Sequence, residues 1–261
     1  MLALRRFLLR WRARKGRLVV LPSVHSPQLD NRRDLYVHVP AAPARGDARY
    51  PVIYMQDGQN LFDPATSFAG TWGVDEALAW ASRRGLDAIV VGIPNMGAAR
   101  LAEYDPFVEA GDRYLDFVTH TVKPLVDGQF PTLPERSHTG IAGSSMGGLI
   151  SLYAFFKYPD VFGFVAALSP SLWFADGALL DLVARAPRVP GGGRLYLDVG
   201  MREGQQTLAL GRRLRDLLLA KGYEEGRDFR WVEDKDGVHH ESAWGWRFRQ
   251  ALPFLLRGPA A

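Results

Sequence analysis

The fold is decided by a glycine-rich stretch in the middle of the chain, Gly140–Gly148 (GIAGSSMGG). It ends a short apolar run that predicts a buried strand, and it begins a run of small and apolar residues that predicts a helix. A G-x-S-x-G pattern spans the junction, from Gly143 to Gly147. A sharp turn between a strand and a helix is the setting in which this pattern exposes a nucleophilic serine. We therefore predict that Ser145 is a nucleophile.

The register of the pattern selects Ser145 over its neighbour Ser144. A serine in such a turn has a cramped backbone, so side chains two residues before and after it would collide with the adjacent strand or helix. Gly143 and Gly147 flank Ser145 in this way, whereas alanine and methionine would flank Ser144. The pattern alone is also compatible with a glycine-rich turn that has no catalytic role.

A serine hydroxyl needs a base that takes its proton, and the chain contains six histidines. In proteins with this turn the order along the chain is serine, acid, histidine. Only His239 and His240 follow Ser145, in a loop after the last predicted strand. One of these two histidines is therefore predicted as the base, and the residues themselves leave the choice open.

The acid that orients the base is expected just after the seventh strand, in the segment 194–204. Asp198 alternates with apolar residues inside that strand, whereas Glu203 lies beyond its end. We predict that Glu203 holds the imidazole in the correct tautomer, with Asp198 as the alternative acid. A surface ion pair is the competing interpretation of Glu203.

Two backbone N–H groups are needed to stabilise the oxyanion of a tetrahedral intermediate. One is the N–H of Met146, directly after the nucleophile. The other is expected from the loop after the third strand, where Gly58 allows the backbone to direct the N–H of Gln59 into the site.

Around this centre, apolar β-branched runs alternate with helical stretches. The predicted strands are residues 18–21, 35–39, 52–55, 88–93, 139–142, 164–169, 195–199 and 229–232, and the predicted helices are 74–84, 111–126, 146–157, 177–184 and 205–221. The first strands predict an antiparallel hairpin, with its turn at residues 40–49, that leads into a mostly parallel sheet. The later alternation predicts right-handed βαβ units with helices on both faces. Residues 57–73 form a long loop at the carboxyl edge, where α/β proteins bind ligands.

Composition excludes several classes of function. The 261 residues suit one α/β domain, and no segment has the roughly 20 consecutive apolar residues of a membrane span. Without cysteine the chain has no disulfide, thiolate metal ligand or cysteine nucleophile. The net charge is +4, but residues 1–17 carry seven basic residues and no acid, which leaves −3 for the rest. This distribution does not favour a nucleic-acid partner.

We treat residues 1–17 as a basic N-terminal extension and residues 18–261 as a single domain. The apolar residues of the extension are spaced as one face of a helix, which would allow contact with an anionic membrane surface. A solvated extension is the simpler interpretation, and we favour it. Arginine interrupts every apolar run that could act as a secretory signal, so a cytoplasmic location is expected.

Six segments resemble the putative-esterase family of the α/β-hydrolases, which includes siderophore trilactone esterases, feruloyl and acetyl-xylan esterases and mycolyltransferases. In chain order they are YMQDGQNLF (54–62), VGIPNMGAARLAEYDP (91–106), GSSMGG (143–148), SPSLW (169–173), GMRE (200–203) and HHESAW (239–244). The resemblance spans most of the chain. It implies an α/β-hydrolase fold and an esterase activity.

The resemblance also implies roles for single residues. Ser145 matches the nucleophile, Glu203 the acid, and His239, five residues before Trp244, the base. Gln59 stands at the position of the second oxyanion donor.

Three residues are assigned to the substrate-binding side of the site, namely Asp57, Arg100 and Trp173. By resemblance, Arg100 and Glu103 brace the loop beside the site. Trp173 is a candidate for an apolar pocket, although a large aromatic residue can equally belong to the core.

The leading hypothesis is hydrolysis of a small acyl ester or lactone, with no metal and no organic cofactor. Acyl transfer to an alcohol uses the same first step and is the alternative within enzymes. A catalytically silent, ligand-binding relative is the alternative outside them. The sequence fixes neither the natural ester nor the oligomeric state.

Overall fold

The computed structural model describes residues 16–41 and 48–257. Their strands form one eight-stranded sheet in the order β1-β2-β4-β3-β5-β6-β7-β8. The strands are β1 Arg17–Ser26, β2 Asn31–Val39, β3 Val52–Gln56, β4 Ile89–Ile93, β5 Thr139–Ser144, β6 Phe164–Leu168, β7 Arg194–Gly200 and β8 Phe229–Asp234.

Helices cover both faces of this sheet. They are α1 Val74–Ser82, α2 Arg100–Glu103, α3 Glu109–Phe117, α4 Lys123–Gln129, α5 Met146–Lys157, α6 Ala178–Arg185, α7 Gln205–Ala220 and α8 Glu241–Leu256. None of the helices in the described ranges is long and apolar enough to cross a bilayer.

The strands from β3 to β8 pair in parallel, and β2 pairs antiparallel with both β1 and β4. Every residue of β3, β4, β5, β6 and β7 is buried, as expected for strands with helices on both sides. Alternate residues enter two apolar clusters: Tyr54 and Ile141 belong to one, Ile53 and Ala142 to the other. The predicted fold, a mostly parallel sheet with an antiparallel N-terminal pair, is confirmed.

The predicted position of the hairpin turn is wrong. The hairpin joins β1 to β2 through residues 27–30, where Asp30 has a left-handed φ of 49°. The segment 40–49 instead leads from β2 to β3, which are not neighbours in the sheet. The error arises because β1 is a half-exposed edge strand with an irregularity between Leu21 and Val24, so that only its first residues form a recognisable strand pattern.

Two helical regions also differ from the prediction. The single helix expected over 111–126 consists of α3 and α4, joined by a π-helical turn at Val118–Val122. Helix α8 was not among the predicted helices, because its hydrophobic pattern is weak: Arg247 is buried while Trp246 is exposed. Most of the predicted extension, including its amphipathic pattern, lies outside the described residues, although Arg17 already pairs with Val39.

Candidate active site

Ser145 occupies the junction between β5 and α5. Its backbone has φ 56° and ψ −125°, a conformation that residues with a side chain rarely adopt. The turn is held from both sides, since the N–H of Ser145 donates to the carbonyl of Leu168 and its own carbonyl accepts from Leu149 and Ser171, each at 3.0 Å. The sharp turn predicted from the sequence is therefore present.

The flanking glycines are required by space. A Cβ atom on Gly143 would lie 2.6 Å from the carbonyl carbon of Gly147 and 2.8 Å from Cγ of Gln56. A Cβ atom on Gly147 would lie 2.9 Å from Cβ of Gln56. Real Cβ atoms do not come this close to other heavy atoms. The start of α5 can therefore pack against β5 and the side chain of Gln56 only because both positions are glycine.

Strained backbone recurs along the same edge of the sheet. Asp57 follows β3 with φ 53°, Ser145 follows β5 with φ 56°, and Ser169 follows β6 with φ 43°. Non-glycine residues with positive φ persist only where the surroundings hold them, and they are concentrated at functional sites. The carboxyl edge of the sheet is therefore where a site is expected.

Of the two candidate histidines, His239 contacts the candidate acid. Nδ1 of His239 lies 2.8 Å from Oε2 of Glu203. A carboxylate can only accept, so Nδ1 of the neutral imidazole carries the proton and Nε2 is left as the basic atom. The ring of His239 also packs edge-on against Trp244, with 4.7 Å between ring centroids. His239 is thus oriented on two sides.

His240 has a different position. It precedes α8 and caps it, since its Nδ1 accepts a hydrogen bond from the N–H of Ser242 at 3.3 Å. The sequence left the choice between the two histidines open, and the contact to Glu203 favours His239.

The side chain of Glu203 is buried, with 1% of it exposed, and hydrogen-bond donors surround its carboxylate. Its Oε1 accepts from Ser169 at 2.6 Å, from the N–H of Gly200 at 3.0 Å and from Arg247 at 3.2 Å. Burial opposes ionisation, but the hydrogen bonds from His239 and Ser169, together with the charge of Arg247, lower the pKa of Glu203 below its usual value. Glu203 therefore faces His239 as an anion at neutral pH.

Asp198, the alternative acid, has different surroundings from Glu203. It is fully buried in β7, and its Oδ1 accepts from Arg247 at 2.8 Å and from the N–H of Ser169 at 3.1 Å. Burial raises the pKa of Asp198 to about 7. It has no contact to either histidine in the described part of the chain, so the geometry favours Glu203 as the partner of the base.

The two candidate oxyanion donors are free to act. Neither the N–H of Gln59 nor that of Met146 donates a hydrogen bond within the described ranges. For Met146 this follows from its place in the first turn of α5, where N–H groups have no partner inside the helix. The side chain of Gln59 is fixed, since its Oε1 accepts from the N–H of Asn95 at 3.2 Å.

Asp57 and Arg100 form an ion pair beside this loop. Nε and Nη2 of Arg100 donate to the two carboxylate oxygens of Asp57 at 2.7 and 2.8 Å, and Asn95 donates to Oδ1 at 2.7 Å. Glu103, grouped with Arg100 in the sequence, instead pairs with the buried Arg33 at 2.7 Å. Asp57 and Arg100 line the cavity described below, whereas Arg33 and Glu103 do not.

A cavity of about 840 Å³ brings the catalytic candidates together. Its wall includes Ser145, His239 and Gln59, and the aromatic side chains of Trp72 and Trp244. Most other lining residues come from the predicted long loop and from the segment after β4, namely Asp57, Asn60, Thr66, Ser67, Phe68, Ala69, Pro94, Asn95, Gly97 and Arg100. The end of β5 adds Ser144, and the start of α8 adds His240 and Glu241.

Trp173 does not line this cavity. Its side chain is 53% exposed and packs edge-on against Phe174. A contact between Trp173 and substrate stays a prediction.

Several neighbours of the site were not found from the sequence. Ser171 is the hydrogen-bond partner of the Ser145 hydroxyl among the described residues, with 3.2 Å between the two oxygens. Ser169 and Arg247 contact Glu203. Ser169 and Ser171 fall in the SPSLW segment, which carried the family resemblance, whereas nothing in the sequence distinguished Arg247 from a surface arginine.

The strand order and the strained serine between β5 and α5 define the protein as an α/β-hydrolase-like protein. The family described as "Putative esterase" matches residues 26–255, and the chain belongs to this family.

Relatives over different lengths support this assignment. The uncharacterized protein YbbA of Bacillus subtilis is 27% identical over 252 residues, which cover 89% of this chain and 96% of that protein. The siderophore triacetylfusarinine C esterase of Aspergillus fumigatus is 33% identical over 147 residues, 52% of this chain and 49% of that protein.

Solved structures show the same fold at low identity. The enterobactin esterase of Shigella flexneri superposes with a TM-score of 0.73 at 23% identity, over 92% of this chain and 58% of that chain. A ferulic acid esterase has a TM-score of 0.73 at 18% identity, over 93% of this chain and 98% of its own. The chain therefore spans little more than half of the enterobactin esterase and nearly all of the ferulic acid esterase.

Proposed function

We propose that the protein hydrolyses a carboxylic ester through an acyl-enzyme on Ser145, with His239 as the base and Glu203 as the acid. The observation that carries this proposal is the 2.8 Å contact between Nδ1 of His239 and Oε2 of Glu203, on the cavity that Ser145 also lines. A serine on a strained turn, a base with a fixed tautomer and a buried carboxylate together match the requirements of acyl transfer.

In the first half of the reaction, Oγ of Ser145 attacks the ester carbonyl and its proton passes to Nε2 of His239. The N–H groups of Met146 and Gln59 donate to the oxyanion that forms. Collapse of this intermediate breaks the C–O bond, and the leaving alcohol takes the proton from His239. Glu203 stabilises the imidazolium that exists between the two proton transfers.

In the second half, His239 removes a proton from water, and the water oxygen attacks the acyl carbonyl. The tetrahedral intermediate then collapses: the bond from the acyl carbon to Oγ of Ser145 breaks, His239 returns the proton to Oγ, and the carboxylic acid leaves. An acyltransferase would differ only here, since an alcohol would replace water. Ser171 lies 3.2 Å from the nucleophile, and the Ser145 hydroxyl must turn from it towards His239 when substrate binds.

We propose a small ester or lactone as the substrate. A cavity of about 840 Å³ accommodates a molecule of this size, and its wall combines aromatic rings with amide and hydroxyl groups. Relatives named as siderophore esterases make lactone and ester siderophores reasonable first compounds for a substrate panel.

The test is turnover of p-nitrophenyl butyrate by the wild type, Ser145→Ala and Ser137→Ala. Ser137 lies just before β5, at the end of the strand opposite to Ser145. We expect the Ser145 variant to lose at least about 10⁴-fold in kcat and the Ser137 variant to match the wild type. Equal rates in all three would exclude Ser145 as the nucleophile, and ester products formed with added short alcohols would indicate acyl transfer.

A further inference from the structure

Arg247 is among the largest fully buried side chains in the described residues, with 2% of its side chain exposed. A guanidinium taken out of water is costly unless carboxylates and hydrogen bonds compensate it. Arg247 donates hydrogen bonds to two such carboxylates: Nη1 to Oδ1 of Asp198 at 2.8 Å, and Nη2 to Oε1 of Glu203 at 3.2 Å. A third carboxylate, that of Asp234, lies 3.9 Å from Nε without a hydrogen bond. One cation thus joins the predicted catalytic acid to the other candidate acid.

The hydroxyl of Ser169 belongs to the same hydrogen-bond network as Arg247 and Glu203. It donates to Oε1 of Glu203 at 2.6 Å and accepts from Nη2 of Arg247 at 3.1 Å and from Nε1 of Trp244 at 3.3 Å. One donor and two acceptors exhaust the hydrogen-bonding capacity of a hydroxyl group. Because all three partners are fixed, Oε1 of Glu203 has little freedom to move, and Oε2 remains directed at His239.

The positions of these residues along the chain explain why the contacts of Arg247 matter for the spacing of the base and the acid. The base, His239, stands two residues before α8, whereas the acid, Glu203, stands in the loop after β7. Arg247 belongs to α8 and contacts both β7, through Asp198, and the loop, through Glu203. The side chain of Arg247 therefore fixes how far the start of α8 lies from the acid, and with it the spacing of base and acid.

We propose that Arg247 is a positioning residue of the active site, which uses Asp198 as an anchor to hold the carboxylate of Glu203 against His239. This inference rests on the proposed function. Arg247 does not line the cavity, so it acts on the reaction only through Glu203. The hydrogen bond from Nη1 to Asp198 fixes one side of the guanidinium, so that Nη2 stays in place against Oε1 of Glu203.

A matched control exists at the other end of the same two elements. Arg194, the first residue of β7, is also buried, and its Nε donates to the carbonyl of Leu255 in the last turn of α8 at 3.0 Å. It thus joins β7 to α8 as Arg247 does, but through backbone carbonyl groups and far from the triad. Arg194→Met tests what loss of a buried arginine does to the fold alone.

The experiment measures kcat and KM for p-nitrophenyl butyrate in the wild type, Arg247→Met, Arg247→Lys and Arg194→Met, with circular dichroism as a check of folding. Displacing a catalytic group by about 1 Å costs on the order of 100-fold in rate, so we expect kcat of Arg247→Met to fall about 100-fold. We expect KM to change less than about threefold, because Arg247 does not reach the cavity. Arg194→Met should keep wild-type kcat and lose thermal stability.

Arg247→Lys keeps the charge but cannot bridge both carboxylates in the same way, so it should recover part of the lost kcat. The downfield proton resonance of Nδ1–H in His239 gives a second readout: it should weaken or shift in both Arg247 variants and not in Arg194→Met. If Arg247→Met does not fold, Arg247→Lys decides: lowered kcat with unchanged KM is the expected result.

Wild-type kcat and an unchanged resonance in a folded Arg247 variant would overturn the inference. The same holds if Arg194→Met lowers kcat as much as Arg247→Met does. A wild type without esterase activity would instead contradict the proposed function, so the two failures are distinguishable.

Discussion

The two ends of the central sheet use buried polar groups in different ways. At the amino end, Arg194 satisfies its guanidinium with the backbone carbonyls of Leu255 and Ser137. At the carboxyl end, Arg247 is shared between the carboxylates of Asp198 and Glu203. Backbone carbonyls are always available at the end of an element, whereas paired buried carboxylates must be placed there at a cost in desolvation.

Strained backbone conformations also distinguish the carboxyl end of the sheet from the amino end. Three strands, β3, β5 and β6, are followed at their carboxyl ends by non-glycine residues with positive φ: Asp57, Ser145 and Ser169. Each such conformation costs on the order of 1–3 kcal/mol. The amino end therefore stabilises the fold, whereas the carboxyl end gives up stability to hold the candidate catalytic groups in place.

We expect the largest effect at the two adjacent histidines near the carboxyl end. We expect His239→Ala to lower kcat by about 10³- to 10⁴-fold, because it removes the base that contacts Glu203. His240→Ala removes a cap of α8 and should cost about 1 kcal/mol of stability, with less than tenfold loss in kcat. Ester kinetics and thermal unfolding of both variants provide the check, and a larger kcat loss in His240→Ala would reverse the assignment of the base.

A smaller effect is expected at the loop that carries Gln59. Asp57→Asn removes the charge that holds Arg100 at two points, so the loop and its oxyanion donor should shift. We expect about a 10- to 100-fold loss in kcat. Asp63→Asn, an exposed change in the same loop, is the matched control. An Asp57 variant with wild-type kcat would show that the ion pair does not position the donor.

The third prediction concerns pH and stability. Because the pKa of Glu203 is lowered in the folded state, its ionised form stabilises the fold above the unfolded value of about 4.5, and this contribution disappears as pH falls through the folded pKa. Glu203→Gln should therefore be less stable than the wild type at neutral pH, with a difference that shrinks below about pH 4. Denaturant unfolding across pH measures this, with the exposed Glu109→Gln as the control.

If the free energies of unfolding of the wild type and Glu203→Gln differed by the same amount at every pH, Glu203 would stabilise the fold through packing and not through its charge.

The smallest expected effect concerns the backbone strain at Ser145. Glycine adopts the conformation of Ser145 without penalty, whereas alanine does not. We expect Ser145→Gly to be more stable than Ser145→Ala by about 1 kcal/mol, although both are inactive. Equal free energies of unfolding would show that the turn stores no strain.

The sequence could predict those features whose requirements are local in the chain. Ser145 and its glycines were found because the requirements of the sharp turn are local: five consecutive residues state them. The parallel pairing of the later strands followed from the alternation of strands and helices, whereas their order in the sheet was not predicted. The hairpin turn was misplaced because the edge strand β1 is half exposed and irregular, so its full length leaves little pattern.

The sequence alone could not identify the candidate acid or the residues that hold it, because both depend on distances between elements that are far apart in the chain. Asp198 and Glu203 lie five residues apart, and only the approach of α8 decides which of them meets His239. Arg247 could not be recognised, because a buried arginine in a weakly patterned helix is indistinguishable in sequence from an exposed one. Trp173, predicted for the substrate pocket, is a half-exposed residue outside the cavity wall.

We propose that Ser145 is an activated nucleophile on the cavity that His239 also lines. The most direct measurement is the intact mass of the folded protein after treatment with a fluorophosphonate probe, followed by peptide mapping. One adduct on the peptide that contains Ser145, absent in Ser145→Ala and strongly slowed in His239→Ala, is the predicted result. No adduct on folded wild-type protein, or an adduct that persists in Ser145→Ala, would contradict it.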